Sequence, residues 1–228
     1  MGFVFHYDGF SMILETCDTD YFTGKRVLVM GLGRFGGGAD AAEFLHRCGA
    51  TLTVTDMLAE DKLNDSIDRL RPFRNIEYHL GGHSESDFKK ADIIVVNPAV
   101  RRENRFVNIA REHDKVITSQ IEIFARLCPA RTVGVTGSNG KSTTAALTAH
   151  LLKAGRADEN FRCKNVYLTG NIGNAPMLRL LDTLNVNDIV VLELSSFQLL
   201  QLANIRWSPD IALITNLTAN HLDYHGTF

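Results

Sequence analysis

Short runs of apolar, mostly β-branched residues alternate along this chain with longer segments in which apolar residues recur every three or four positions. The short runs are typical of buried strands and the longer segments of amphipathic helices. In the first half of the chain, the predicted strands cover residues 26–30, 51–55, 92–97 and 116–118, and the predicted helices cover residues 39–48, 61–70, 103–113 and 119–127. This alternation predicts an α/β fold, in which helices cover both faces of a parallel sheet.

A second series of strands follows the break at Cys128-Pro129-Ala130, where proline cannot continue the preceding helix. Its strands are predicted at residues 131–135, 166–168, 188–194 and 210–215. We therefore predict two domains, at residues 24–130 and 131–228, with residues 1–23 as an N-terminal extension. The second series ends shortly after a strand and a polar loop, so we expect the second domain to be partial.

Composition narrows the class of protein without identifying it. An apolar content of 45% is that of an ordinary globular protein, and a net charge of −2 gives no indication of a nucleic-acid-binding surface. The four cysteines show no Cys-x-x-Cys spacing, which favours reduced thiols in the cytoplasm over a zinc site or a disulfide framework. No apolar run is long enough to cross a membrane, so no membrane insertion is expected.

The segment T-G-S-N-G-K-S-T-T at residues 136–144 joins a predicted strand to an Ala/Leu-rich predicted helix. Glycines let the backbone approach an anion, and the start of a helix favours negative charge. The segment therefore predicts a phosphate-binding loop, with Lys141 on the β- and γ-phosphates of ATP and the Ser142 hydroxyl on Mg²⁺. Val135 stands where the general motif has glycine, and the alternative is a glycine turn that caps an ordinary helix. The residues expected to bind ATP are Gly137, Ser138, Asn139, Gly140, Lys141, Ser142 and Thr143.

A second glycine loop, G-L-G-R-F-G-G-G at residues 31–38, follows the first predicted strand. Asp56 ends the next strand, about where an acid that binds ribose would lie. This spacing is compatible with an NAD(P) site, but a lone G-x-G-x-x-G also occurs in a tight strand-to-helix turn that only permits close packing.

Glu193 ends an apolar run, Val190-Val191-Leu192, that reads as a buried strand. Burial of a carboxylate is unfavourable unless it is paired or bound to a metal. Near a phosphate-binding loop, Glu193 could hold Mg²⁺ together with Ser142, because Mg²⁺ prefers oxygen ligands and is shared with phosphates. The alternative is a solvated Glu193 followed by Ser195 as a helix cap.

Taken together, the motifs resemble those of the Mur ligases and the related folylpolyglutamate synthetases. The resemblance covers residues 25–228 and rests on T-G-S-N-G-K-S-T-T, the G-L-G-x-x-G loop, T-G-N-I-G at residues 169–173, E-L-S-S-F-Q-L at 193–199 and N-L-T-A-N-H-L-D-Y-H at 216–225. The E-L-S-S-F-Q segment is most similar to the Mur ligases that add D-glutamate. The chain departs from the family pattern at Arg34-Phe35, Met57, Asn220 and Tyr224.

The resemblance implies a Rossmann-like domain that binds a UDP-sugar, followed by a P-loop ATPase-type α/β domain. It implies an ATP- and Mg²⁺-dependent (or Mn²⁺-dependent) cytoplasmic ligase of peptidoglycan precursor synthesis. Its substrates would be UDP-N-acetylmuramoyl-L-alanine and D-glutamate, joined through an acyl phosphate. The catalytic residues would be Lys141, Glu193 and His221, with Ser142, Glu193 and His221 as metal ligands. The UDP-sugar would contact Gly33, Arg34, Phe35, Gly36, Asp56, Asn171, Ser195 and Gln198.

Three alternatives to this reading remain open at the level of the sequence. Another Mur ligase or a folylpolyglutamate synthetase-like enzyme would share the phosphate-binding loop. An NAD(P)-dependent oxidoreductase would use the first glycine loop, although the chain offers no evident acid or base for hydride transfer. A regulatory nucleotide-binding module would bind ATP without ligation.

Overall fold

The computed structural model describes residues 19–33, 36–158, 161–172 and 176–227. Contacts within the chain divide it into two compact units, the first ending at Leu127 and the second beginning at Cys128. Each unit contains one parallel sheet flanked by helices, as the α/β class predicts.

The sheet of the first unit has the strand order β3-β2-β1-β4-β5, and all its neighbouring strands are parallel. The strands are β1 (Arg26–Met30), β2 (Thr51–Asp56), β3 (Ile76–Leu80), β4 (Ile93–Val96) and β5 (Val116–Thr118). The helices are α1 (Gly37–Arg47), α2 (Asn64–Leu70), α3 (Glu85–Lys90), α4 (Arg105–Glu112) and α5 (Gln120–Leu127). The strand order reverses at β1, and ligands of open parallel sheets bind beyond the carboxyl ends of strands at such a point.

The core of the first unit lies around the central strands. Every residue of β4 is buried, as is every residue of β1 after Arg26. A short 3₁₀ helix, Thr19–Phe22, precedes β1, and its Phe22 side chain is fully buried. The last residues of the predicted N-terminal extension therefore contribute to the core, while residues 1–18 lie outside the described part of the chain.

The sheet of the second unit has the order β7-β8-β6-β9 and is also parallel throughout. Its strands are β6 (Arg131–Thr136), β7 (Val166–Gly170), β8 (Ile189–Glu193) and β9 (Ile211–Ile214). Its helices are α6 (Lys141–Gly155), α7 (Ser196–Asn204) and α8 (Leu222–His225). Because β6 lies between β8 and β9, the segments that follow these three strands meet at one edge of the sheet.

The central strands of this second sheet are buried, whereas its outer strand β9 is exposed. Val135 and Val191 on the central strands pack with Ala145 and Ala149 of α6 in a buried cluster. Every residue of the outer strand β9, by contrast, is exposed. Within the described ranges, no helix is both long and apolar enough to cross a membrane.

The predicted elements and the observed ones differ in several places. Strand β3 and helices α3 and α8 were not predicted, and α7 was implied only by the alternative in which Ser195 caps a helix. The predicted helix over residues 61–70 is divided into a 3₁₀ turn, Glu60–Lys62, and α2, because the buried Leu63 between them departs from helical geometry. Helix α6 begins at Lys141, within the predicted phosphate-binding loop of residues 136–144, so Lys141, Ser142 and Thr143 form its first turn.

Candidate functional site

The phosphate-binding loop joins β6 to α6 through two glycines with positive φ angles, 137° at Gly137 and 79° at Gly140. A β-carbon on Gly137 would overlap the Thr215 hydroxyl and lie 2.8 Å from the main-chain oxygen of Asn216. Gly140 is the residue before the helix and takes the left-handed conformation. Both positions therefore require glycine for backbone reasons, which explains the spacing of the motif.

The Lys141 ammonium lies over the loop that precedes it. Its Nζ donates to the main-chain oxygens of Gly137 at 2.8 Å and Ser138 at 3.1 Å. These contacts use two of the three hydrogens of the ammonium group. The cation is thereby held beside the start of α6, where an anion would be stabilised.

The first turn of α6 is suited to a phosphate. It contains no acidic residue, and Ser142 and Thr143 are exposed. The first N–H groups of a helix have no carbonyl partner within the helix, and the helix dipole places partial positive charge there. The turn and Lys141 would stabilise an anion and the Ser142 hydroxyl a cation, as expected of a loop that binds a nucleoside triphosphate; that ligand stays a prediction.

Residues that follow β9 hold the loop from its other side. Asn216 opens the segment at residues 216–225 that carries part of the family resemblance, but the sequence analysis assigned no role to Asn216 or to Thr215. Asn216 and Thr215 hydrogen-bond to the main chain of Asn139, and the main-chain oxygen of Asn216 accepts from the Ser138 N–H. The signal available in the sequence was the polar run Thr215-Asn216 directly after an apolar strand. That signal predicts a contact with the phosphate loop only if β9 is known to lie beside β6.

Glu193 ends β8 and is 2% exposed. Its Oε1 accepts a hydrogen bond from Asn171 Nδ2 at 3.1 Å, and its Oε2 is buried with no hydrogen-bond partner in the described structure. The register pairs Glu193 with Val135 of β6 and Gly170 of β7, which places it at the same sheet edge as the phosphate loop. An unpaired buried carboxylate oxygen is the donor that a divalent cation requires, so Glu193 fits the predicted metal site.

Apart from Glu193, we searched the described residues for side chains that could hold a metal ion together. Among the residues that the structure describes, no group of three or more His, Cys, Asp or Glu side chains is arranged to hold a metal ion. A cation at this edge would therefore need oxygen from a serine, from water or from a phosphate in addition to Glu193, which is the ligand environment typical of Mg²⁺.

Ser195 and Gln198, predicted to contact a UDP-sugar, form a capping box at the start of α7. The Ser195 hydroxyl accepts from the Gln198 main-chain N–H, and Gln198 Oε1 accepts from the Ser195 N–H at 3.0 Å. Such reciprocal bonds satisfy the free N–H groups of the helix start. The cap accounts for both residues structurally, and their contact with a sugar stays a prediction.

His221 lies in the left-handed conformation, with φ of 51°, directly before α8. Its ring is 5.1 Å from that of Phe197 on α7, and the His225 ring stacks on Phe197 at 5.4 Å. His225 Nε2 also lies 2.9 Å from Ser196 Oγ. Phe197 and Ser196 thus fix the segment that carries His221 close to the turn that follows Glu193.

In the first unit, Asp56 braces the glycine loop. Its Oδ2 accepts from the Gly33 N–H at 3.0 Å and its Oδ1 from the Leu58 N–H at 2.8 Å. Gly38 is packed so closely on Gly31 and Leu32 that a β-carbon there would overlap their main chains. Arg34 and Phe35, both predicted to contact a UDP-sugar, lie outside the described residues.

Two further side chains shape the carboxyl edge of this first sheet. His83 Nδ1 lies 2.8 Å from the Thr55 hydroxyl, and burial lowers the pKa of His83, which favours a neutral imidazole. Asn97 donates from Nδ2 to the Gly31 main-chain oxygen at 3.3 Å. The carboxyl edge of this sheet is therefore polar.

Comparison with known proteins gives two matching family descriptions. The Mur ligase MurD-like N-terminal domain matches residues 25–119, and the Mur ligase middle domain matches residues 135–228. Curated proteins with the name UDP-N-acetylmuramoylalanine–D-glutamate ligase are similar along most of the chain. The one from Roseiflexus sp. is 44% identical and covers 90% of this chain, and that from Geobacter metallireducens is 37% identical with the same coverage. The chain spans 42% and 43% of their respective lengths.

Among solved structures, a UDP-N-acetylmuramate:L-alanyl-gamma-D-glutamyl-meso-diaminopimelate ligase from Neisseria meningitides has a TM-score of 0.54 and 18% identity. The match covers 89% of this chain and 63% of that protein. This likeness supports the fold, with two successive parallel α/β units.

Proposed function

Since the chain belongs to the Mur ligase family and carries its N-terminal and middle domains, we propose that it acts in the ATP-dependent addition of D-glutamate to UDP-N-acetylmuramoyl-L-alanine. The observation that carries this proposal is the meeting of the phosphate loop with the half-paired, buried Glu193 at one sheet edge. The names of the similar curated proteins support the choice of D-glutamate. The reaction would belong to cytoplasmic peptidoglycan precursor synthesis.

ATP would bind with its phosphates at the start of α6. The first-turn N–H groups and Lys141 would stabilise negative charge on the phosphoryl group as it is transferred. To do so, the Lys141 ammonium would donate to a phosphate oxygen the third hydrogen, which neither loop carbonyl uses. The two carbonyl contacts would keep it aimed at the loop.

Ser142 and Glu193 would hold Mg²⁺, and His221 would help to hold a second cation. When bound, the metal supplies charge neutralisation and orientation of phosphate oxygens. Asn171 fixes Glu193 in one orientation, since the hydrogen bond between them leaves Oε2 as the available ligand atom. Phe197 would keep the His221 ring near this edge.

The substrate chemistry would proceed through an acyl phosphate. The alanine carboxylate of UDP-N-acetylmuramoyl-L-alanine would accept the γ-phosphoryl group of ATP, releasing ADP. The D-glutamate amine would then attack the acyl carbon, forming the amide as phosphate leaves. Lys141 would stabilise charge in the first step, and the positioning of the two reactants would supply much of the rate enhancement.

The UDP-sugar would lie along the carboxyl edge of the first sheet, over the glycine loop at Gly33 and Gly36, with Arg34, Phe35 and Asp56 as neighbours. The family resemblance also assigns Asn171, Ser195 and Gln198 to the positioning of the UDP-sugar. Asp56 Oδ2 accepts the Gly33 N–H of this loop and its Oδ1 accepts the Leu58 N–H that follows β2, so its carboxylate is fixed beside the loop. In an NAD site, the acid at this position would instead bind ribose hydroxyls.

The proposal is tested by measuring the binding of ligands to this chain with isothermal titration calorimetry. We expect binding of Mg-ATP and of UDP-N-acetylmuramoyl-L-alanine, and no binding of NAD or NADP. Release of ADP from the protein that carries this sequence should depend on D-glutamate and not on L-glutamate. Binding of NAD in place of the UDP-sugar would favour the oxidoreductase alternative, and ATP binding without any UDP-sugar binding would favour a regulatory module.

A further inference from the structure

The main chain of Ser138 and Asn139 is bound by Asn216, which lies 77 residues further along the chain than Asn139. Asn216 Oδ1 accepts the Asn139 N–H at 3.0 Å, and its Nδ2 donates to the Asn139 oxygen at 2.9 Å. The main-chain oxygen of Asn216 accepts the Ser138 N–H at 3.0 Å. One asparagine thus satisfies two successive N–H groups and one carbonyl of the phosphate loop.

Neighbours of Asn216 strengthen this attachment. The Thr215 hydroxyl donates to the Asn139 oxygen at 2.6 Å. The Ser138 hydroxyl donates to the Thr218 oxygen and accepts the Thr218 N–H, both at 2.9 Å. We call residues 215–218 the loop clamp. It is built from main-chain and side-chain bonds in both directions, so its register with the phosphate loop is fixed.

The clamp limits which loop groups can meet an anion. The N–H groups of Ser138 and Asn139 are directed to Asn216 and are occupied. The N–H groups that can face a phosphate therefore belong to the helix start that follows, where helix geometry leaves them without internal partners. Lys141 is aimed at the same place by the carbonyls of Gly137 and Ser138.

We infer that Asn216 is a positioning residue for the nucleotide. By holding Ser138 and Asn139 away from the anion, it makes the first turn of α6 and Lys141 the phosphate-binding groups. This inference rests on the proposed binding of ATP. The clamp also precedes His221 by only a few residues, so the loop and the His221 segment are held in a common register.

The experiment compares Asn216→Ala and Asn216→Asp with the unmodified chain. Asn187→Ala is the matched control, since Asn187 is exposed at the amino end of β8, away from the loop. Amide hydrogen exchange of Ser138 and Asn139 is followed by NMR without nucleotide, and the affinities for Mg-ATP and the UDP-sugar are measured by calorimetry.

In Asn216→Ala, we expect faster exchange at the Asn139 amide and Mg-ATP affinity lower by about tenfold, the scale of one or two lost hydrogen bonds. UDP-sugar affinity should not change. Asn216→Asp keeps an acceptor for the Asn139 N–H and should restore the slow exchange of that amide, while losing the Nδ2 donor and adding a negative charge near the phosphates. ATP affinity should therefore stay low in that variant, because the added charge repels the phosphates.

Unchanged ATP affinity in Asn216→Ala, with the Asn139 amide exposed to exchange, would overturn the inference and leave the proposed function standing. Unchanged amide exchange would overturn it as well, because the clamp would then be absent in solution. Failure of the unmodified chain to bind ATP would overturn the proposed function, and with it the role of Asn216. The two failures can be distinguished because amide exchange is recorded without nucleotide, and therefore reports on the clamp even if the chain does not bind ATP.

Discussion

The Glu193 side chain is buried in a way that destabilises the fold but suits the proposed binding of a metal ion. One carboxylate oxygen is paired with Asn171, while the other is buried without a hydrogen-bond partner in the described structure. A buried polar atom left in this state destabilises a fold by about 1–3 kcal/mol, and more when the group is charged. Such a carboxylate is expected where a cation binds, because the cation then supplies the missing partner.

Replacement of Glu193 by glutamine tests this expectation at the level of one atom. The amide oxygen can still accept from Asn171, but the negative charge is lost. We expect the metal-free chain to keep its melting temperature or to gain a few degrees, since about 1 kcal/mol shifts a small domain by several degrees. The stabilisation that Mg²⁺ or Mn²⁺ gives in the presence of ATP should be lost.

Thermal denaturation with and without the metal measures both effects. Glu77→Gln serves as a control, because Glu77 is an exposed glutamate on β3 of the other unit. A metal-induced stabilisation that persists unchanged in Glu193→Gln would show that Glu193 is not a ligand.

Lys141→Met tests the second charged group of the site. Methionine keeps most of the side-chain length, so the packing of α6 should be retained, while the contacts to the Gly137 and Ser138 carbonyls are lost. Hydrogen bonds to charged groups contribute about 1.5–3 kcal/mol, so Mg-ATP affinity should fall by roughly ten- to a hundredfold. Calorimetry checks this, and Lys153→Met near the other end of α6 is the matched control. Equal affinity in the two variants would contradict the role of Lys141.

Among the elements, strands β1 and β4 are joined at their amino ends by an ion pair. Asp92 accepts two hydrogen bonds from the Arg26 guanidinium, at 2.7 and 3.2 Å, and one from the Arg26 main-chain N–H at 2.9 Å. These bonds lower the pKa of Asp92 to about 2. The pair fixes the register of the central strands at the end opposite to the glycine loop.

The low pKa of Asp92 makes this contribution depend on pH. The folded-state pKa lies below the ordinary value of 3.8, so the stabilisation is present above about pH 4 and is lost as the pH falls towards 2. Asp92→Asn should lower the free energy of unfolding at pH 7 by no more than about 1 kcal/mol, because the pair is partly exposed.

Urea denaturation of both proteins between pH 2 and pH 7 measures this effect. The difference between them should shrink as the pH falls below 4. A difference that stays constant over the whole range would contradict the assigned cause.

The elements that were predicted from the sequence are those with uninterrupted apolar patterns, such as β1 and β8. Strand β3 was missed because its sequence, Ile-Glu-Tyr-His-Leu, carries polar residues and lies at the sheet edge, where no residue is fully buried. The phosphate loop was recognisable because its glycines and Lys141 are contiguous. The contact of Asn216 with Asn139 was not, since it depends on β9 lying beside β6, and strand order is not encoded in local periodicity.

At the scale of the whole molecule, the outer strand β9 stands out as a surface. Ile211 and Ile214 are 62% and 68% exposed, and among the described strands β9 pairs only with β6. Exposed apolar edge strands pair readily with other chains. We therefore expect this chain to self-associate at high concentration.

Ile211→Lys should reduce that association, because a lysine at a strand edge opposes pairing. Leu151→Lys places the same charge on the exposed face of α6 and serves as the control. Sedimentation velocity over a range of concentrations measures both variants. If Leu151→Lys abolishes association and Ile211→Lys does not, the helix face is the contact and the edge strand is not.

The loop clamp has a consequence for the order in which the protein is made. Asn139 leaves the ribosome 77 residues before Asn216, a delay of roughly 4–15 s at ordinary rates of synthesis. For most of that interval the phosphate loop lacks the partners that give it its final form, although the residues of β6 and α6 have already been synthesised. The nascent chain should therefore acquire its affinity for ATP late, after the segment beyond β9 has emerged, and not when the glycine-rich motif itself is synthesised.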